Sequence, residues 1–399
     1  MITRRKVLYG GAAALAAPAI VRHAFAQGES LPIGVISSLS GVFANVGEGV
    51  EVGTRLAFEN FKEAAGRPID YVLLDDHGDP GRSVRLVQDA FNERGIRHFV
   101  GTTNSSIALA VAKEVHALGG INVNLAGADE MTGTECNRSS FRWPVATYSA
   151  ANATVRPFME RNPDAKRWYT ITGQYVFGES LLRNTVNVVQ ELGGEHIGNS
   201  YHSLSEREYS GYITAALAAE PDVLAICNFG NQTLDVLRQA VSFGMKRNTK
   251  ILVVWSTALD QFQAWGSDTI EDVYFGANYW HGVEAPGNTV FRAAFEAKHN
   301  RVPTYLNATG WAVMQIMVEG MNKAGTADVA PLIETLEGLT YEGVTGTESI
   351  RPEDHQVVKP YYFMRGKAAG DMADGDDFVE ILESATALPP VDQTGCQMT

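Results

Sequence analysis

Residues 31–61 read LPIGVISSLSGVFANVGEGVEVGTRLAFENF, and they set the architecture of the whole chain. Leu31 to Ser37 is a short apolar run too brief for a helix and closed by a Ser/Gly stretch, which reads as a buried strand. Ser38 to Gly49 is rich in serine and glycine and reads as a loop. From Glu51 to Phe61 the apolar residues Val52, Leu56, Ala57 and Phe61 fall on one face of a helix. Strand, loop and helix in this order are the opening of a parallel βαβ unit, because parallel neighbours need a long crossover.

The pattern repeats outward from there. Ile69 to Leu74, Arg97 to Gly101 and Ile121 to Leu125 read as further strands. Val84, Val87 and Phe91 mark one intervening helix, and Ser106 to Leu118 a second. After Phe141-Arg142-Trp143-Pro144 a second series begins, with strands at Arg167 to Thr172, His196 to Tyr201, Val223 to Cys227 and Ile251 to Trp255. Its helices fall near Glu179 to Leu192 and Leu234 to Phe243, and two longer helical patterns follow at Asn288 to His299 and Asn307 to Lys323. The expectation is an α/β fold of two doubly wound parallel-sheet lobes.

Ligands of such sheets sit outside the carboxyl ends of the strands. The loops there are Ser38 to Gly49, Thr102 to Ser106, Ala126 to Asp129, Gly173 to Gly178, Asn228 to Asn231 and Ser256 to Asp260. They carry Ser, Thr, Asn, Gly and aromatic residues and few titratable groups, a composition that suits holding a molecule rather than transforming it. The helix beginning near Ser106 offers unpaired N–H groups and a partial positive charge, which favour a carboxylate.

The amino terminus carries Arg4-Arg5-Lys6, a weakly apolar Gly/Ala run to Val21, and Ala24-Phe25-Ala26. That is the layout of an export signal, its paired arginines fitting the twin-arginine route, with cleavage expected after residue 26 and a periplasmic destination. The run is too short and too glycine-rich to serve as a membrane anchor. The full chain has 32 Lys+Arg against 46 Asp+Glu, a formal charge of −14 that becomes −18 without Arg4, Arg5, Lys6 and Arg22. Such acidity argues against nucleic acid and anionic membranes as partners. Of three cysteines, Cys227 ends a buried strand, which leaves Cys136 and Cys396 to form a disulfide in an oxidising compartment.

Several signals carry no chemistry. Asp75-Asp76-His77-Gly78-Asp79 lacks the spacing and the final Glu of a calcium loop and reads as a turn, so no metal is expected. Gly47-Glu48-Gly49 lacks the third glycine of a dinucleotide fingerprint, and neither a phosphate loop nor a Gly-x-Ser-x-Gly turn occurs. Neither cofactor nor enzymatic activity is expected.

Taken in order, Ile33-Gly34-Val35 with Ser40-Gly41-Val42-Phe43-Ala44 and Gly47, the Leu74 to Pro80 loop, Gly101 with Ser105-Ser106, Tyr175-Val176-Phe177-Gly178, and Leu237-Arg238-Gln239-Ala240 with Gly244 resemble the leucine/isoleucine/valine-binding proteins of ABC importers. The resemblance covers the mature chain. It implies a monomeric clamshell with three crossing segments, near Pro144 to Tyr148, Tyr279 to Val283 and Arg351 to His355. The lobes then comprise 27–147 plus 280–352 and 148–279 plus 353–399. It also implies a small-molecule solute gripped between them and an ABC permease as the membrane partner. A sensor using the same clamshell to signal to a membrane receptor, and a urea or short-amide binder, are the competing functions.

The resemblance places ligand contacts at Phe43, Thr103, Asn104, Ser105, Ala126, Gly127, Ala128, Tyr175, Phe177, Phe229 and Trp255. Ser105 matches a position whose backbone and hydroxyl contact ligand in the family. Gly127 stands where the amino-acid binders have Ser or Thr, Phe177 and Phe229 where they commonly have Tyr, and no acid for an ammonium group stands at Ser256 to Ala258. Asp260, Asp129 and Glu179 are the alternative acids. A buried ammonium without a carboxylate partner costs several kcal/mol, so an aromatic or other planar carboxylate stands as the expected solute beside the branched-chain amino acids that the resemblance implies by default.

Overall fold

The computed structural model describes residues 30–398; the expected signal segment lies outside them. In the first body, β1 (Leu31–Ser37), β2 (Glu63–Ala64), β3 (Arg67–Asp75), β4 (His98–Gly101), β5 (Ile121–Asn124) and β6 (Ser140–Arg142) form one sheet in the order β2-β3-β1-β4-β5-β6. All pairings are parallel except that of β2. β3 lies on one side of β1 and β4 on the other, so the winding reverses between β1 and β4, where a crevice opens at the strand ends.

The second body repeats this plan. β7 (Arg167–Gly173), β8 (Glu195–His202), β9 (Val223–Cys227), β10 (Lys250–Val253) and β11 (Tyr274–Ala277) are parallel, with the reversal between β7 and β9. A small antiparallel sheet of β12 (Thr340–Gly343), β13 (Gly346–Ile350) and β14 (Val357–Val358) follows. β15 (Tyr361–Gly366) and β16 (Val379–Ala385) then extend the second sheet beyond β11 in antiparallel fashion.

The first helix spans Ala44–Phe61, seven residues longer at its start than the reading from Glu51. Its glycines look like loop residues but are close-approach points: a Cβ on Gly53 would stand 2.0 Å from the Asn307 carbonyl oxygen, and one on Gly310 would stand 2.1 Å from that of Val50. The helix Tyr305–Ala324 therefore lies against it backbone to backbone, buried along almost its entire length. Trp311, Met314 and Met317 join Val35, Val100, Phe141 and Trp143 in the core of the first body.

The chain passes between the bodies at residues 143–146, 278–285 and 359–360. The third passage falls later than Arg351 to His355, because Ser349 and Ile350 pair with Val358 and Val357. After β16 the chain returns to the first body, where Cys396 is bonded to Cys136; the boundary read from sequence kept all of 353–399 with the second. Cys227 is buried and unbonded.

Candidate ligand-binding cleft

At the end of β4 the chain turns through Thr102, which has φ 67°, into the helix Ser105–Leu118. Asn104 caps that helix: its Oδ1 accepts from the Ser106 N–H at 2.8 Å and the Ile107 N–H at 3.3 Å. Two donors that sequence reasoning offered to a carboxylate are thus taken by the cap. Ser105 Oγ accepts from the Ala128 N–H at 3.4 Å, joining the first loop to the second. Thr103 Oγ1 is buried without a hydrogen-bond partner.

Arg142 holds the second loop from behind. It is wholly buried and donates to the carbonyls of Gly127 and Ala128, to Thr132 Oγ1 and to Gln356 Oε1. Burial lowers its pKa to about 10. In front of the loop, a Cβ on Gly127 would stand 2.7 Å from both Phe177 and Trp255. A Ser or Thr side chain at this position would run into both rings.

The second body supplies those rings from the ends of β7, β9 and β10. Tyr175 precedes the helix Val176–Glu191, Phe177 lies in its first turn, and Phe229 and Trp255 follow their strands. Ring centroids run from Phe43 to Tyr175 at 6.1 Å, Tyr175 to Phe177 at 5.9 Å, and Phe177 to Phe229 and Trp255 at 5.8 and 5.1 Å. The row starts in the first body and ends in the second, so the bodies meet across it. Asn45 Nδ2 donates to Asn231 Oδ1 at 2.8 Å across the same gap. Trp255 also packs on Tyr361, so it serves the core as well as the cleft. Its Nε1, like Asn278 Nδ2, lies near the Tyr305 hydroxyl without completing a hydrogen bond.

All eleven residues proposed from sequence lie on these facing loops. Sequence reasoning missed Arg142, His202 and Tyr305, and named Asn228 only as the start of a ligand-side loop. Asn228 follows β9 beside the second winding reversal, is 1% exposed, and has Nδ2 without a partner while Oδ1 faces His202 Nε2 at 3.0 Å.

The three alternative acids are placed as follows. Asp129 is engaged by Thr147 Oγ1 at 2.8 Å, the Tyr148 N–H at 2.9 Å and Asn184 Nδ2 at 2.5 Å. Glu179 is exposed. Asp260 is raised to about 6 by burial, with Thr304 and Arg301 beside it. A separate cavity of about 280 Å³ lies between the bodies at Asp129, Glu130, Arg142 and Arg183. Its charges largely answer one another, Arg183 reaching Glu130 at 3.0 Å and Asp129 at 3.7 Å. Among the described residues no cluster of His, Cys, Asp and Glu is arranged to hold a metal, and no helix is long and apolar enough to cross a membrane.

The sequence pattern of a family described as periplasmic binding protein matches residues 30–371. A solved amino acid ABC transporter substrate-binding protein from Pseudomonas fluorescens Pf-5 is 49% identical, with TM-score 0.89 over 93% of this chain and 100% of that one. Leu/Ile/Val-binding protein homolog 4 of Brucella abortus is 24% identical over 98% of both chains. A solute binding protein of R. palustris, solved in complex with benzoate, shares the fold at TM-score 0.81 and 20% identity, over 92% of this chain and 99% of that one.

Proposed function

The chain belongs to the periplasmic binding protein family, and on that premise we propose that it is the receptor of an ABC importer, capturing a small carboxylate-bearing solute between its two bodies. The observation that carries this reading is the row of rings Phe43, Tyr175, Phe177 and Phe229, which starts in one body and ends in the other. On the loops at the strand ends, Thr103 Oγ1 and Asn228 Nδ2 are buried without partners. An unpaired buried polar group costs about 1–3 kcal/mol, which a solute bearing polar atoms would relieve.

Two chemistries compete for the apolar part of the solute. The name of the Pseudomonas fluorescens relative points to an amino acid, and the bound ligand of the R. palustris neighbour to an aromatic acid. Asp129 is already engaged by three donors, and no acid stands beside the rings at Ser256 to Ala258. That favours an aromatic acid, stacked among Phe43, Tyr175, Phe177 and Phe229, over a standard aliphatic amino acid.

Residues 143–146, 278–285 and 359–360 serve as the hinge. Closure is favoured only by the contacts a solute makes better in the closed form, and the closed form is what a permease would engage. An exported, periplasmic protein carrying a twin-arginine leader fits this role. A thermal-shift series with benzoate, hydroxybenzoates, leucine and urea tests the assignment, since a ligand of the folded state raises Tm. Stabilisation by the aromatic acids supports it; a strong shift with leucine and none with benzoate overturns the aromatic choice.

A further inference from the structure

The carboxy-terminal segment makes a fourth connection between the bodies. β16 runs antiparallel to β15 in the second sheet and ends at Ala385, opposite Tyr361, the first residue beyond the third passage. Arg161 holds this strand on the second body through the Leu382 carbonyl at 3.3 Å and Glu383 at 3.1 Å. A few residues later the Pro389 carbonyl accepts from Arg351 Nη1 at 2.8 Å. That arginine belongs to the first body, where its Nε donates to the buried Asp354 at 2.9 Å. The chain therefore crosses at residues 386–388, fastened on both sides.

The disulfide is the firm attachment on the first body. None of residues 386–398 is buried, so apolar burial holds the segment only weakly. The Thr394 carbonyl lies against Gly133, where a Cβ would stand 2.7 Å away, and Cys396 is bonded to Cys136 across 260 positions of chain. Pro389, Gln393 and Thr394 share the cavity between the bodies with Arg142 and Ala146, which flank the first passage, and with Tyr148 and Asn187 of the second body. The segment thus starts beside the third passage and ends beside the first. Pro389 and Pro390 stiffen it, each fixing its own φ and holding the residue before it extended.

We propose that residues 386–396 are a strap, a fourth hinge strand closed by the Cys136–Cys396 bond, which limits how far the two bodies open. Between the last ladder pair at Ala385 and the Arg351 contact at Pro389 the extended chain reaches at most about 14 Å, and the bodies separate at this edge no further than that. The hydrogen bond to Arg351 breaks and re-forms, but with Cys396 tethered the Pro389 carbonyl stays beside it at high effective concentration. Restricting the open ensemble raises the fraction of molecules near the solute-competent form, and apparent affinity rises with that fraction. This consequence rests on the receptor reading; the restraint itself does not.

Small-angle scattering of the full chain without solute tests the strap. Two variants are set against the wild type: Cys136→Ser combined with Cys396→Ser, which unties it, and an insertion of Gly-Ser-Gly-Ser between Ala387 and Leu388, which lengthens it with the disulfide intact. A cooperative melt establishes that each is folded. Both are expected to shift to a larger radius of gyration and a longer maximum dimension, the lengthened form resembling the untied one. Wild-type dimensions in the untied protein overturn the proposal. So does a lengthened form that keeps wild-type dimensions while the untied form expands, because the bond then acts by local packing on the first body and not through the crossing. The insertion retains every native bond, so it decides alone if the serine pair fails to fold. If benzoate, leucine and urea all leave Tm unmoved while the scattering shifts as expected, the choice of solute fails and the strap stands.

Discussion

Arg142 Nε donates to Gln356 Oε1 at 2.6 Å, joining residues 214 positions apart in the chain. Gln356 in turn donates through Nε2 to the Pro144 carbonyl at 2.9 Å, while the other end of Arg142 grips the Gly127–Ala128 loop. One side chain therefore connects the floor of the cleft to the first passage between the bodies. A loop fixed in this way cannot move independently of the hinge.

Arg142→Met is expected to lower stability by roughly 3–5 kcal/mol, since it removes a buried, fully bonded charge and strands the carbonyls it served. Urea unfolding measures the loss. Arg142→Lys keeps the charge but not the fork, so it should also fall well short of the wild type. Full stability for the lysine variant would show that the branched geometry is immaterial.

Gly127→Ala adds a Cβ 2.7 Å from both Phe177 and Trp255. Either the rings or the bodies must separate. Overpacking of this kind costs about 1–3 kcal/mol, and the closed form bears it because the rings come from the opposite body. The variant should bind its solute more weakly and scatter as a more open particle in solution. Unchanged affinity and dimensions would mean that the rings move aside freely.

How far this was legible beforehand differs from part to part. Strands β1 and β9 coincide with the apolar runs Leu31 to Ser37 and Val223 to Cys227 residue for residue, because continuous burial leaves an unmistakable pattern. The start of the helix Ala44–Phe61 was hidden by glycines whose purpose is contact with a helix more than 250 residues away. The helix Thr147–Arg161 carries Pro157 internally and small residues on its buried face, so its periodicity is faint. In the cleft, ring-bearing and glycine-rich loops announced themselves by composition. Arg142, His202 and Asn228 act through partners distant in sequence, and only the arginine, set among Phe141, Trp143 and Pro144, leaves a local sign of burial.

Reduction of the Cys136–Cys396 bond frees a tail that otherwise lies along the first body, where the Thr394 carbonyl meets Gly133. The reduced protein should unfold at lower denaturant by about 2–4 kcal/mol, less if the released tail keeps its contacts. Thiol counting with and without denaturant checks the rest of the assignment. Cys227, buried and with its thiol pushed up to about 12, should stay silent until the fold opens.

Lys359 sits at the third passage and touches the other two. Its Nζ donates to the Asn278 carbonyl at 2.8 Å and lies 4.3 Å from the centre of the Trp143 ring. Burial lowers its pKa from 10.5 to about 7, opposed by the field of Glu348. The unfolded chain therefore holds this proton more tightly than the folded one. Below about pH 7 both states carry it and the full penalty applies; between about 7 and 10.5 the folded state releases it first, so this group makes stability rise with pH. The gain is on the order of a few kcal/mol. Lys359→Met should remove the rise across that window and stabilise the protein most near neutrality, which denaturant titrations at pH 7 and 9 would read directly. A stability that falls over the same interval in the wild type, and falls equally in the variant, would mean that the ammonium stays charged in the hinge, held by Asn278 and Trp143.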